Sequence, residues 1–455
     1  MRIEKDCVGE MEVPDEALYG IHALRAAGNF PITKEKLHPL LVQSYIEIKK
    51  AAAQVNADAQ TLDRQKATAI IDACDKLLHG NDQSAFIVPA IQGGAGTSTN
   101  MNTNEVIANL AMRLHPDVKI HPNDDVNQSQ STNDTYPTAG KMAMLKLLSP
   151  LQAAVKQLVT TFTDLSNQYE QTIKVGRTQL QDAVPTTYGK SFHAYATLFN
   201  RDFRRISTTV SELKVISLGG TAIGTGINAS PYYQSHIADA VNAASGLNLT
   251  IDADLIDAIQ NSDHFVTFSG VLKTLALDLS KVSNDLRLLS SGPKAGLNEL
   301  ELPRRQAGSS IMPDKINPVI PEVVNQVAFE VAGFDTTVSM AAEAGQLELN
   351  AFEPIMFKSI FTAEEHLTRA IHTLIDNCLK DIKVNVQQCA QDVNNSAVTA
   401  TVLSPKIGYE RATQIIKQAL AENRSVKEVA LSEHVLPAAE IEHLFSPAVL
   451  THEAE

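Results

Sequence analysis

The chain has 455 residues, 44% hydrophobic and 20% charged, a composition that excludes a disordered or collagen-like protein and leaves room for a large buried core. Its formal charge is −14, with 38 Lys and Arg against 52 Asp and Glu, so broad binding to nucleic-acid phosphate or an anionic membrane surface is not expected. No apolar run reaches the roughly 18 residues of a membrane span, and MRIEKDCVGE lacks the apolar stretch of a secretory signal, so a cytoplasmic location is expected.

Residues 1–30 read as extended and turn-rich, followed by shorter helices at 40–55 and 67–78. Two dense polar runs, GGAGTSTNMNTNE at 93–105 and HPNDDVNQSQSTND at 121–134, then break the apolar pattern. Over 137–169 the residues Leu148, Leu151, Val155, Leu158, Phe162, Leu165 and Tyr169 step by threes and fours, the seam of a helix packed on helices. A third polar run, GRTQLQDAVP at 176–185, precedes a second stripe from Phe192 to Leu213. The stripe of Phe265, Phe268, Leu272, Leu275, Leu279, Val282, Leu286 and Leu289 holds its spacing longest. After a fourth polar run, AGSSIMPDKINP at 307–318, helices are expected over 318–349 and 354–379. The tail contains an amphipathic helix at 409–422 and short pieces at 426–431 and 438–445.

The fold class expected is mainly α, in three regions: a mixed, mostly helical head at 1–134, a central five-helix bundle at 135–389, and a small helical tail at 390–455. Helices of this length with apolar residues on more than one face commonly extend their core into a second subunit, so a homo-oligomer is expected.

Several signals point to ordinary structure. Cys7, Cys74, Cys378 and Cys389 lack CxxC spacing and read as reduced, mostly buried thiols. Thirteen histidines include no HExxH, so no metal centre is expected. GGAGTS is not the GxGxxG of a dinucleotide site. Ala244, Ser245 and Gly246 match the tripeptide of the electrophilic ring in histidine and phenylalanine ammonia-lyases, but a helix end closed by Gly246 explains them better.

Small hydroxyl and amide residues at helix starts offer side-chain donors and free backbone N–H groups to a carboxylate, although any one such run is equally an N-cap or turn. The fourth run is more specific. Gly308, Ser309, Met312, Lys315 and Asn317 fit the pattern GSxxMxxKxN, a signature of the aspartase/fumarase superfamily. With YGIHALRAAGNF, QGGAGTSTNMNTNEVIANL, QSTNDTYPT, VGRTQLQDAVP, NDLRLLSSGPKAGLNE and MAAEAGQLELN in order, the chain resembles that superfamily from about residue 2 to 445. Argininosuccinate and adenylosuccinate lyases and class II fumarases place histidine where this chain has Gln179, and fumarases typically read SSND where it has Ser131, Thr132 and Asn133. Glutamine occurs there in some aspartases, so the chain resembles the ammonia-lyase branch. A class II fumarase or a lyase for an N-substituted aspartate are the alternatives.

The resemblance implies a three-domain fold whose long helices form a multi-helix core in a homotetramer with shared active sites. It implies L-aspartate as substrate, fumarate and ammonia as products, and no required cofactor; divalent-metal activation is not legible in the residues. By the same resemblance Ser309 is the base that removes the β-proton, with Lys315 as its positive neighbour. Thr97, Ser131, Thr132 and Ser310 are expected on the β-carboxylate, and Thr178, Lys315 and Asn317 on the α-carboxylate. Asn133 with Thr97 is expected on the amino group, with Gln179 beside it. Arg25 is a further substrate candidate whose alternative is a salt bridge, and Glu322 faces no titrating partner when position 179 is glutamine. Asp314, Arg304 and Arg305 depart from the family pattern, and their charges are candidates to offset one another across the loop.

Overall fold

The computed structural model describes residues 1–80 and 83–451. In chain order the helices are α1 (Ile21–Asn29), α2 (Pro39–Asp58), α3 (Arg64–His79), α4 (Thr97–Leu114), α5 (Thr132–Gln168), α6 (Tyr188–Leu213), α7 (Pro231–Ser245), α8 (Leu255–Gln260), α9 (Asp263–Leu289), α10 (Val319–Glu343) and α11 (Glu353–Asn377). The tail adds α12 (Val386–Asn395), α13 (Ser404–Ile407), α14 (Tyr409–Glu422), α15 (Val426–Ser432), α16 (Ala438–Leu444) and α17 (Pro447–Leu450). Strands occur only as pairs among the described residues: β1 (Arg2–Asp6) with β2 (Gly9–Val13), β3 (Ile173–Thr178) with β4 (Gln181–Thr187), β5 (Val215–Ile216) with β6 (Thr250–Ile251), and β7 (Leu300–Glu301) with β8 (Lys383–Val384). The mainly α class follows, and no helix among the described residues is long and apolar enough to cross a membrane.

Two compact units make up the chain. The first comprises residues 1–152, 204–274 and 329–367, the second 153–203, 275–328 and 368–455, so each of the five long helices α5, α6, α9, α10 and α11 contributes to both. In the first unit Tyr136 stacks on Phe357 at 5.2 Å, and Phe265 meets Phe357 edge-on at 5.0 Å. In the second, Phe162 is fully buried, stacked on Phe199 at 5.8 Å and edge-on to Tyr195 at 5.5 Å. Leu148, Leu151, Val155, Leu158, Phe162 and Leu165 of the α5 seam, and all but the last residue of the α9 stripe, are buried, as a three-and-four period requires of a face packed on neighbours. In the tail, Ile415, Val429, Ile441 and Leu444 close a small apolar cluster of their own.

Three segments differ from the expectation. Residues 21–29 form α1 where extended chain was expected, because its free N–H groups are satisfied from far along the chain. Glu105 accepts from Gly20, His22 and Ala23 at 2.8 to 3.1 Å, and Glu4 accepts from Ile21 at 2.7 Å. The polar run 93–105 is not a break in helix from Thr97 onward: α4 starts there and buries Thr99, Asn100, Asn102, Thr103, Asn104 and Glu105. Helix α10 stops at Glu343, short of 349, where the Asn350 amide folds back onto the carbonyls of Ala341 and Ala342 at 3.0 and 3.1 Å. Gly246 ends α7 in the left-handed conformation, as expected, and Cys74, Cys378 and Cys389 are buried free thiols, with Cys7 exposed.

Truncating Phe162 to alanine removes a fully buried ring from between Tyr195 and Phe199. A loss of about 3–5 kcal/mol is expected, read as a lowered urea midpoint at unchanged slope.

Candidate active site

The first unit brings two helix N-termini together. Ser131 caps α5: its hydroxyl accepts from the Asn133 N–H at 3.3 Å, and Asp134 accepts from the Ser131 N–H at 2.9 Å, a reciprocal box that starts the helix ahead of Pro137. Thr97 opens α4 after Gly96, which has φ +84° and lies so close to Tyr136 that a Cβ would sit 2.3 Å from the ring. The two starts are tied by Asn100, whose amide donates to the Thr132 hydroxyl at 3.1 Å. Thr97, Ser131, Thr132 and Asn133 therefore present hydroxyl and amide groups where two helix dipoles are positive, an arrangement suited to a carboxylate. The Asn133 amide N–H₂ is engaged by the Ala222 carbonyl at 2.7 Å, which leaves its oxygen as an acceptor, the polarity an ammonium group requires.

Behind these groups the first unit holds two buried titratable side chains. Asp134, fully buried, accepts from the N–H groups of Ser131, Gly219 and Thr221, yet burial outweighs these bonds and pushes its carboxyl up to about 7. Lys49, also fully buried, is pushed down to about 7 by burial. Arg25 pairs with Asp6 at 2.8 Å, on the wall of a cleft of about 850 Å³ that Thr97 also lines.

The second unit carries the remaining predicted residues on two devices. Thr178 and Gln179 stand at the tip of the β3–β4 hairpin, where Gln179 and Leu180 both take positive φ, 54° and 63°, between the paired Thr178 and Gln181. That is the two-residue turn that matches strand twist, built without its usual Asn or Gly, and it stores strain at an exposed site position. The hairpin stem is held by Glu299, buried, which pairs with Arg177 and Lys174 and accepts from Tyr188.

The signature loop is the other device. The Ser309 hydroxyl oxygen accepts from the backbone N–H groups of Ile311 at 3.1 Å and Met312 at 2.9 Å. Gly308 donates to the Lys315 carbonyl at 2.7 Å, and the Asn317 amide returns to the Gly308 carbonyl at 2.8 Å. A Cβ on Gly308 would lie 2.6 Å from that Lys315 oxygen, so the closure admits only glycine. Ser310 and Lys315 are exposed, and Glu322 lies in the first turn of α10. The departures at 304, 305 and 314 are local pairings. Arg304 forms an ion pair with Asp314, which occupies the left-handed region at φ 60°, and Arg305 binds Asp381 at 2.8 Å and the Asn377 carbonyl at 2.7 Å. Asp is among the residues that tolerate this conformation, so the turn persists without glycine.

The residues missed by sequence reasoning are Asn100, Lys49 and Asp134. Each is polar and buried, a signal that exists only once burial is known. Among the described residues no group of three or more His, Cys, Asp or Glu side chains could hold a metal ion.

Asp134 yields a pH dependence whose sign is defined. Its folded value lies above the ordinary 3.8, so the contribution it makes is fully present below about pH 4 and is lost as pH rises toward 7. Compared with Asp134→Asn, the wild-type urea midpoint is expected to fall across that window and to run parallel above it; parallel curves throughout would contradict the assignment.

Known proteins resemble this chain in sequence and fold. Residues 9–333 match the family model described as lyase, and residues 400–452 the one described as fumarase C C-terminus. The aspartate ammonia-lyase of Helicobacter pylori (strain J99) is 48% identical over 454 residues, covering 98% of this chain and 97% of that one. The crystal structure of fumarate lyase:delta crystallin from Brucella melitensis bound to cobalt superposes with a TM-score of 0.95 at 46% identity, over 98% of both chains. The class II fumarase of Schistosoma mansoni gives 0.94 at 30% identity, over 100% of both. With the signature loop and both helix starts in place, the chain belongs to the aspartase/fumarase superfamily of lyases.

Proposed function

We propose that the protein is an aspartate ammonia-lyase, a carbon–nitrogen lyase that converts L-aspartate reversibly to fumarate and ammonia. The observation that carries the mechanism is the Ser309 hydroxyl oxygen held by two backbone N–H groups. A serine is a poor base in water, because bases work best with pKa values near the operating pH. Two fixed N–H dipoles aimed at Oγ, with Lys315 in the same loop, stabilise the alkoxide in the manner of an oxyanion hole. The alkoxide takes a proton from C3 of aspartate, and the C3–H electron pair moves into the β-carboxylate as an aci-carboxylate dianion. When that pair returns to form the C2–C3 double bond, the C2–N bond breaks and ammonia leaves with the nitrogen pair.

The binding roles we assign are those the family resemblance implies. Thr97, Ser131, Thr132 and Ser310 hold the β-carboxylate; Thr178, Lys315 and Asn317 hold the α-carboxylate; the oxygen of Asn133, with Thr97, accepts from the ammonium, and Gln179 lies beside it. Substrate choice rests on that ammonium acceptor and on the relative at 48% identity that bears the aspartate ammonia-lyase name, against 30% for the class II fumarase. No cofactor is required by this chemistry, and the enzyme is placed in the cytoplasm.

Assembly as a homotetramer with shared sites is supported by apolar side chains that the long helices leave exposed: Val323, Phe329 and Met340 on α10, Leu277 and Leu288 on α9.

Purified protein given L-aspartate is expected to raise the ultraviolet absorbance of fumarate, and given L-malate to leave it unchanged; the reverse result would make it a fumarase. Ser309→Ala is expected to lower kcat by about 10²–10⁴-fold, the contribution of a general base, with the tetramer intact by light scattering. Near-normal kcat would remove Ser309 as the base.

A further inference from the structure

Lys49 has no ordinary reason to be where it is. It lies on α2 with a fully buried side chain, and its three hydrogen bonds run to neutral amide oxygens: Asn100 at 2.7 Å, Asn127 at 3.0 Å and Gln130 at 2.9 Å. It forms no ion pair among the described residues, and Asp134 acts on it only through space. A buried ammonium without a directly paired carboxylate is costly, and the chain has 52 acidic residues from which one could have come. In its ammonium form, which burial confines to below about pH 7, the side chain is held by these dipoles and lies 5.9 Å from the centre of the Tyr45 ring, with no carboxylate paired to it, so its field reaches what lies beyond the amides.

What lies beyond is Thr132, and the direction of each bond follows from chemistry. An ammonium only donates, so the Asn100 atom facing Lys49 is the amide oxygen. The Asn100 nitrogen therefore faces Thr132 and donates to its hydroxyl oxygen at 3.1 Å. That oxygen receives a proton from behind, so its own O–H is directed elsewhere, and among the described residues it finds no acceptor. Asn100 is 2% and Thr132 8% exposed, so water competes little along the chain.

We propose that Lys49 and Asn100 are positioning residues for the lyase reaction: the relay from Lys49 through Asn100 fixes the Thr132 hydroxyl as a donor to the β-carboxylate and supplies the positive field for its second charge. The inference rests on the function proposed above. It adds a reason for the relay to act on the intermediate more than on the substrate. The β-carboxylate carries one charge in aspartate and two in the aci-carboxylate, and a fixed cation two hydrogen bonds away interacts with the added charge.

The test compares two ligands on the intact protein by calorimetry. Succinate carries ground-state carboxylates, whereas ionised 3-nitropropionate carries a planar nitronate with negative charge on both oxygens, as the intermediate does. Lys49→Met is expected to weaken the nitronate about 100-fold and succinate less than about fivefold, with kcat for aspartate falling more than KM rises. Equal weakening of both ligands would reduce Lys49 to a structural role, and unchanged nitronate affinity would overturn the relay. Should Lys49→Met fail to fold, Asn100→Asp decides the matter. It keeps an acceptor for Lys49 but turns an acceptor toward Thr132, so the hydroxyl must donate inward and the same selective loss is expected. If the unaltered protein releases no fumarate from aspartate and binds neither ligand, the functional reading itself fails, a result distinct from active variants on an active parent.

Discussion

Helix α4 runs through the interior of the first unit carrying amides and hydroxyls where helices usually carry leucines, and nearly all of those groups find protein partners in place of water, the Asn104 amide oxygen being the exception. The solutions are specific. Asn102 accepts from Ile87 and donates to the Ala85 carbonyl, Gln92 accepts from Thr99, and Glu105 holds the start of α1. Asn100 reaches Lys49 on one side and Thr132 on the other. A buried polar network of this kind permits few alternative packings, because any shift strands a donor or acceptor. The positions of Thr97 and Thr132 are consequences of that constraint.

In a chain with a net charge of −14, the dicarboxylate substrate proposed above depends on local positive features. Backbone supplies fixed positive dipoles at the starts of α4 and α5 in the first unit and, in the second, at the N–H groups of Ile311 and Met312 in the signature loop. Lys49 reaches the start of α5 through Asn100, and Lys315 is exposed in the signature loop. Oriented dipoles fixed by the fold need no reorganisation when charge develops during reaction, which suits a dianionic intermediate better than flexible surface lysines would.

The exposed devices are held by different means. The hairpin tip with Gln179 and Leu180 in left-handed conformations is tolerable because its stem is anchored by the buried Glu299 cluster. In the signature loop, Gly308 allows the closure onto Lys315, and the Arg304–Asp314 pair spans the turn at its outer edge. An isolated surface pair of this sort contributes little to stability, so its effect is on which conformation the loop holds.

The order of long helices, the mainly α class and the identity of the signature loop were legible in the sequence, because three-and-four periodicity and a five-position motif are local properties of the chain. Helix α5 begins at Thr132, inside a run that reads as a break in the apolar pattern, because the Ser131–Asp134 box satisfies its first N–H groups. Tertiary structure alone decided that the polar run after Gly96 is a buried helix, since a row of Thr and Asn is stable in a helix interior only when distant groups satisfy it, as Ala85, Gln92, Lys49 and Thr132 do here. It alone decided that residues 21–29 are helical, because their cap is a carboxylate more than eighty positions away. And it alone singled out Lys49, one lysine in a KK pair in sequence, whose meaning comes entirely from burial and from the three amides that surround it.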